Sequence, residues 1–426
     1  MGCLLISIRY RRYRQPRQRF KNVVLVIQPR QRFQAFVQDM GCLSISLRYR
    51  QQRQRFRAVV QVVGSISKQK GRFLQQGVTE RCSKIKYRYN GKIPNRIFTN
   101  SLLPLQKYNV TFCRVTKCAS TFWTRLLVCL EKGLWKPPYV FKPNDASVKL
   151  RDNFNRFPIR KIYKRVNDTK NFMVSRNPYS RIFSFYVDKL FSPNPYYWNS
   201  LGVGITKRSR EKATCGHDVT FNELVDYIIY TPSTARDFHT IPINDICRPC
   251  TIPYDIIGKM ENFENDVSNI LKEIGAESYP YFSENFRKEY TTDSIYDIAQ
   301  AFVSFRQNSD KCIDRQTGLK RVWRVLQIRG IISESLQMPF SSNESQTITL
   351  SKLLNTILKA RDESLNEDLR DQKATFFKEA YLSVPLDTMM KLQKVYKEDF
   401  HIFNYESFPK NLFTVKRNTT NEIFIV

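Results

Sequence analysis

The stretch Cys113-Arg-Val-Thr-Lys-Cys-Ala-Ser-Thr-Phe-Trp-Thr-Arg125 constrains this chain more than any other. Tyr108 to Val115 is short, mainly apolar and β-branched, as a buried strand is. Beyond it Trp123, Leu126, Leu127 and Leu130 recur at the spacing of one helix face, and Gly133 supplies a stop. A tight connection carrying Lys117, Ser120 and Thr121 therefore joins a strand to the start of a helix. Such a turn aims backbone N–H groups and the positive end of the helix dipole at one point. With a lysine and two hydroxyls added, that point suits a phosphate or a sulfate. It is not a Walker A loop, which needs two glycines and a lysine followed directly by Ser or Thr.

A second unit of the same kind follows about sixty residues later. Asn171 to Ser175 reads as a strand, and Ile182, Phe183, Tyr186, Val187 and Leu190 then fall at helical spacing, with Pro178 acceptable in the first turn. Between them Arg176 leaves the strand end, Arg181 lies in the first helical turn, and Ser184 follows on the same face. A guanidinium beside a hydroxyl makes a fixed, charge-assisted seat for a phosphate. On spacing alone, an Arg176 that caps the sheet and a Ser184 that merely packs fit equally well.

Farther on, Thr220-Phe-Asn-Glu223 is a capping box opening a helix through Tyr230. Tyr254 to Met260 reads as a strand and Glu264 to Ile274 as an amphipathic helix closed by Gly275. Strands alternating with helices predict an α/β fold. In residues 283–372, helical patterns cover Ile295–Phe305 and Leu319–Ile328, while the polar run Ser341 to Thr347 reads as a loop. Leu386 to Phe400 reads as one final helix.

The chain of 426 residues carries a net charge of +32. Residues 1–82 hold 18 Lys and Arg against only Asp39 and Glu80, so half the excess lies in less than a fifth of the chain. There Met1-Gly-Cys-Leu-Leu-Ile-Ser-Ile-Arg-Tyr10 is echoed by Met40-Gly-Cys-Leu-Ser-Ile-Ser-Leu-Arg-Tyr49, and Gln-Arg-Phe recurs three times. This low-complexity, basic repeat is expected to be disordered or to come from a misassigned N-terminal exon, with the folded part starting near Ile85. A basic arm of this kind also suits polyanions. No run of roughly 18 apolar residues could span a bilayer, and no credible signal peptide opens the chain. Cys247-Arg-Pro-Cys250 stands alone, without the second pair or nearby histidines that a structural zinc needs. With ten cysteines and only His217, His239 and His401, disulfides in an oxidising lumen or buried free thiols fit better, and no metal is expected.

Taken together, Cys113-Arg-Val-x-Lys-x-x-x-Thr-x-Trp and Arg176-x-Pro-x-x-Arg-x-x-Ser-x-Tyr-x-x-Lys189 resemble the two nucleotide signatures of Golgi carbohydrate sulfotransferases. The similarity is to the group holding the chondroitin and dermatan 4-O-sulfotransferases and the HNK-1 sulfotransferase. It continues through Thr220–Tyr227, Asp237-Phe-His239 to Cys250, Gly258-Lys-Met-Glu261 with Asp266, and Val395–Phe400 with Phe403-Asn-Tyr405. Three positions depart from the pattern: Thr116 stands where proline is usual, Phe122 where asparagine or threonine is, and Thr240 where tryptophan is. Thr116 is expected to loosen the loop, and Phe122 to remove a polar contact.

The resemblance implies a P-loop-like three-layer α/β fold, with a central, mainly parallel sheet flanked by helices, over residues 83–410. A divergent segment at 283–372 and a tail at 411–426 complete the expected organisation. It implies transfer of the sulfuryl group of 3′-phosphoadenosine-5′-phosphosulfate (PAPS) to a glycan hydroxyl, on the lumenal face of the Golgi membrane. The acceptor expected is an acidic or sulfated glycan, such as a glycosaminoglycan N-acetylgalactosamine; no DNA- or RNA-binding motif argues for nucleic acid. Carried onto this chain, the 5′-phosphosulfate loop is Thr116, Lys117, Cys118, Ala119, Ser120, Thr121 and Phe122, and the 3′-phosphate seat is Arg176 and Ser184 with Arg181 in support. Lys117 would neutralise charge on the leaving oxygen, and His239 would act as base. A PAPS-binding pseudoenzyme and a non-catalytic polyanion binder are the alternatives. Asn109, Asn167, Asn343 and Asn418 head glycosylation sequons, Asn109 being placed on the presumed core strand.

Overall fold

The computed structural model describes residues 77–85, 94–141, 146, 158–210, 214–279, 286–365, 367–417 and 424, together with four short strands before residue 49. Two compact units divide the chain, Met1–Lys70 and Gly71–Val426. In the first, β1 (Ser7–Ile8), β2 (Val23–Ile27) and β4 (Leu47–Arg48) each pair antiparallel with β3 (Arg32–Val37). The remainder of that repeat, on which disorder was expected, lies outside the described residues.

The second unit begins earlier than the apolar pattern suggests. Helix α1 covers residues 77–84, with Arg81 donating to the Ile402 carbonyl at 2.8 Å and Cys82 bonded to Cys250. After α2 (Asn95–Ser101) come β5 (Leu102–Leu105) and β6 (Val110–Cys113), then α3 (Ser120–Lys132), which ends at Gly133 with φ +62°. Helix α4 (Ile159–Asp168) leads into β7 (Lys170–Ser175), and α5 (Pro178–Phe185) continues through a π-helical turn at Tyr186–Phe191. The capping box at Thr220 opens α6 (Phe221–Tyr230) as expected. Strand β8 (Ile256–Lys259) and α7 (Phe263–Glu273) complete the alternating part.

The sheet is mixed, with order β5-β6-β7-β8. Strand β5 runs antiparallel to β6, whereas β6, β7 and β8 are parallel. Every residue of β5 and β6 is buried, and Phe112, Trp123 and Phe172 fill the space between sheet and α3. Buried Asn171 ties the strand starts together: its amide group donates to the Val166 and Pro253 carbonyls, while its N–H reaches Asp255. The parallel register brings the C-terminal ends of β6, β7 and β8 to one edge, where the three loops that follow them meet.

A second apolar core is helical. It is built on α8 (Phe286–Ser304), α9 (Arg315–Ile328), α10 (Leu350–Glu363), α11 (Leu369–Leu382), α12 (Leu386–Val395) and α13 (Lys397–Ile402), with Leu326, Tyr381 and Phe400 buried inside. The final helix read from the sequence is thus two, separated at Tyr396, whose hydroxyl donates to the Thr240 carbonyl at 2.6 Å. The polar run at Ser341 is no loop either. Ser341 and Glu344 form a capping box for a short helix, Ser342–Thr347. Residues 411–417, which fall in the expected tail, pack on this core through buried Leu412 and an Arg417 bond to the Tyr381 carbonyl. Asn109 sits in an exposed turn ahead of β6, not on the strand, with φ +49°.

A buried ion pair joins the two cores. Buried Arg125 of α3 bonds Asp293 of α8, and Asp297, one turn on, lies 3.3 Å away. Burial and the neighbouring Asp297 raise Asp293 to about 6. Arg125→Leu is expected to cost about 3 kcal/mol by leaving buried carboxylates unpaired. A carboxyl with a raised folded pKa favours the fold below its unfolded value and loses that contribution as pH rises through the folded one. The deficit measured by urea denaturation should therefore be smaller at pH 5 than at pH 7.5; equal deficits would contradict this pairing.

Candidate active site

The loop between β6 and α3 is bent at two non-glycine residues, Lys117 with φ +66° and Ala119 with φ +54°. Each costs about 1 kcal/mol against the ordinary helical region. Two arginines of the second unit hold the loop in that shape. Arg176 donates to the Lys117 carbonyl at 2.8 Å, and Arg181 to the Thr116 carbonyl at 3.1 Å. Ala119 is the N-cap of α3 and no side chain caps the helix, so its first-turn N–H groups face the loop. Ser120 is half-buried and Thr121 exposed there. Cys118 is buried, which pushes its thiol up to about 12. Phe122 is buried too, against Trp123 and Phe263, so its ring packs in the core instead of facing the loop.

Arg181 lies under the loop, not at its surface. Only 1% exposed, it also donates to the Ile241 carbonyl at 2.6 Å, and its third contact is the Thr116 hydroxyl at 3.5 Å. It therefore joins the lysine loop to the chain segment that carries His239. Cys113, at the end of β6, is bonded to Cys247 and ties down the same segment. Cys247 and Cys250 thus belong to separate disulfides, and among the described residues no cluster of His, Cys, Asp or Glu could hold a metal ion.

Lys117 extends to Asp188 at 2.7 Å. Asp188 is also paired with Arg329 at 2.8 Å and Lys189 at 3.1 Å. Burial lowers Lys117 to about 8 although Asp188 opposes the shift, while the same three cations hold Asp188 well below the usual carboxylate range. Arg176 and Ser184 are half-buried nearby, and neither makes an ion pair among the described residues.

His239 stands on the same cluster. Its Nδ1 is 2.8 Å from the Asp237 carboxylate, which also accepts the His239 backbone N–H, and its ring stacks on Phe185 at 4.8 Å. Burial lowers the imidazole below 6.5, Asp237 pulls it up, and Lys189 and Lys117 push it down. With Asp237 held below its usual range, Nδ1 carries the hydrogen and Nε2 keeps a lone pair. The nearby carboxylate of Glu261 is occupied by the Asn177 N–H and the Tyr405 hydroxyl. Thr240, where a tryptophan is usual, is buried and bonds the Asp237 carbonyl.

Asp188 and Arg329 escaped the residue-by-residue reading, while Lys189 closes the second signature without a role of its own. Asp188 carries a weak sequence signal, one helical turn beyond Ser184; Arg329 carries none, being supplied by a distant helix end.

A model described as the sulfotransferase family matches residues 102–323, just over half of the chain, and the chain belongs to that family. Among curated relatives, it is 30% identical to carbohydrate sulfotransferase 11 of Rattus norvegicus over 52% of this chain and 63% of that protein. It is 32% identical to carbohydrate sulfotransferase 14 of Danio rerio, over 46% of this chain and 54% of that one. Carbohydrate sulfotransferase 9 of Homo sapiens matches at 31%, over 44% of this chain and 43% of that protein. The chain thus spans between about two fifths and under two thirds of the length of these relatives. No solved structure matches it.

In an NMR titration His239 should ionise below the ordinary 6.5, and Asp237→Asn should move it lower still, because Asp237 is what raises it. A rise in the variant would contradict the pairing. A depressed histidine supports folding fully above its unfolded value and loses that support as pH falls through its folded one.

Proposed function

We propose that the chain is a carbohydrate O-sulfotransferase that moves the sulfuryl group of PAPS to a hydroxyl of an acidic glycan. A glycosaminoglycan N-acetylgalactosamine, or a related sugar, is the acceptor class the resemblance favours. The observation that carries this reading is the pairing of a lysine at the start of an uncapped helix with a histidine whose Nδ1 is held by a carboxylate.

Sulfuryl transfer needs in-line positioning and stabilisation of the leaving oxygen more than covalent chemistry. The amides at the start of α3, with Ser120 and Thr121, would hold the 5′ phosphosulfate, and Arg176 with Ser184 the 3′ phosphate. Nε2 of His239 takes the proton from the acceptor hydroxyl as that oxygen forms its bond to sulfur. The bond from sulfur to the bridging oxygen breaks, and the charge left on the 5′ phosphate is met by Lys117. Asp237 stabilises the imidazolium that results. The three disulfides among the described residues, and the exposed sequon residues Asn109, Asn167 and Asn343, support a Golgi-lumenal setting. No helix among the described residues is long and apolar enough to cross a membrane. The mixed sheet with flanking helices suits the three-layer, P-loop-like arrangement. A polyanion binder without catalysis would leave the Asp237–His239 pair unexplained, and so would a pseudoenzyme.

The test is transfer of labelled sulfate from PAPS to a panel of desulfated glycosaminoglycans by the full chain. Lys117→Ala should lower the rate about a hundredfold or more, and His239→Gln by about a hundredfold. Undiminished transfer in the lysine variant would refute its role, and absence of both transfer and nucleotide binding in the wild type would refute the function.

A further inference from the structure

The cations around Asp188 outnumber their counter-charge. Lys117, Lys189 and Arg329 share that one carboxylate, and Arg176 spends a donor on a carbonyl only. A further cation, Lys373, arrives from α11. Helix α11 crosses directly over Gly330, where an added Cβ would sit 2.8 Å from the Leu369 carbonyl and 3.4 Å from Cβ of Lys373. The crossing is fixed by Gln372, which donates to the Gln327 and Ile332 carbonyls on either side of that glycine. Lys373 therefore emerges beside Arg329, solvent-exposed, and it makes no ion pair among the described residues. Its side chain runs back along the protein surface, where the surrounding groups and then Arg176 and Arg329 lower its pKa, so three like charges crowd one wall.

The same wall carries an aromatic face. Arg329 reaches Ser294 of α8 at 3.3 Å, and Tyr290 lies one turn before Ser294 on that face of the helix. The Arg125 pairing with Asp293 and Asp297 fixes α8 against α3, the helix that follows the lysine loop. Tyr290 is 36% exposed, packs on Phe263 at 5.8 Å, and feels the charges of Arg176 and Arg329. Phe263 in turn touches Phe122 in the first turn of α3. An exposed ring beside cations that outnumber their counter-charge is chemistry for an anion that bears a flat base.

We propose that Lys373 and Tyr290, which the sequence signatures do not include, complete the donor seat: Lys373 joins Arg176 on the 3′ phosphate and Tyr290 offers its ring to the nucleobase. This rests on the donor reading above. Lys373 lies beyond the stretch that matches the family model, which ends at residue 323. The C-terminal helices are thus part of the nucleotide site and not only a scaffold for it.

Calorimetric binding of 3′-phosphoadenosine-5′-phosphate (PAP) and of adenosine 5′-phosphate to the full chain tests this. Lys373→Gln should weaken the bisphosphate about tenfold and leave adenosine 5′-phosphate unchanged, with affinity returning in Lys373→Arg. Tyr290→Ala should weaken both nucleotides about tenfold, whereas Tyr290→Phe should keep both. Unchanged bisphosphate affinity in Lys373→Gln overturns the proposal, as does a rise in the KM of the glycan acceptor without one for PAPS. If the wild type binds no bisphosphate at all, the donor reading itself fails and this proposal fails with it. Overlaid thermal melts establish that the variants are folded.

Discussion

The arrangement depends on one buried guanidinium. Charge taken out of water is costly unless it finds polar partners. Arg181 finds them in the Thr116 and Ile241 carbonyls, two points far apart in the chain. Lys117 is the next residue after one of them, and His239 lies two before the other. A single side chain from the second strand-loop-helix unit therefore sets the spacing of the proposed leaving-group lysine and the proposed base. Asp399, buried close enough to feel the Arg181 charge, accepts the Ile243 and Asn244 N–H groups and fixes the same segment from its other side.

Around that frame the electrostatics are left unbalanced. Lys117, Lys189 and Arg329 share the one carboxylate of Asp188, and Arg176 and Lys373 stand beside them without an ion pair among the described residues. A folded protein tolerates such crowding at a cost in stability, and a polyanionic ligand relieves it. The imbalance also tunes the chemistry. Burial and the neighbouring cations bring Lys117 down to about 8 while keeping it protonated at neutral pH, and the same field keeps His239 neutral. The two groups are thus driven toward opposite protonation states by one cluster, the pattern of an acid and a base working together.

Much of this was legible from residue order because it rests on local physics. Periodicity located β6, α3, β7 and α5, the Thr220 capping box marked its helix start, and Gly133 marked a stop. Ser341-Ser-Asn-Glu344 carries the same capping signature, but no apolar periodicity follows within that short helix, so the polar run has the pattern of a loop. The break at Tyr396 was hidden for the opposite reason: the apolar spacing runs through it, and only a bond to Thr240 explains the interruption. Long-range pairings left no local trace. Arg125 with Asp293, Asp188 with Arg329, and the meeting of Lys373 with Arg329 all join residues more than a hundred or some forty positions apart, and each depends on how helices pack. Phe122 looked like a lost polar contact because its position was known and its side-chain direction was not.

The pH dependence of kcat/KM for PAPS-driven transfer bears most directly on whether Lys117 and His239 act as one site. It reports the ionisations of the free enzyme. The account predicts a bell with its acid limb below pH 6.5, abolished in His239→Gln, and its alkaline limb near 8, where Lys117 loses its proton. A flat profile, or an acid limb that persists without the histidine, would contradict it.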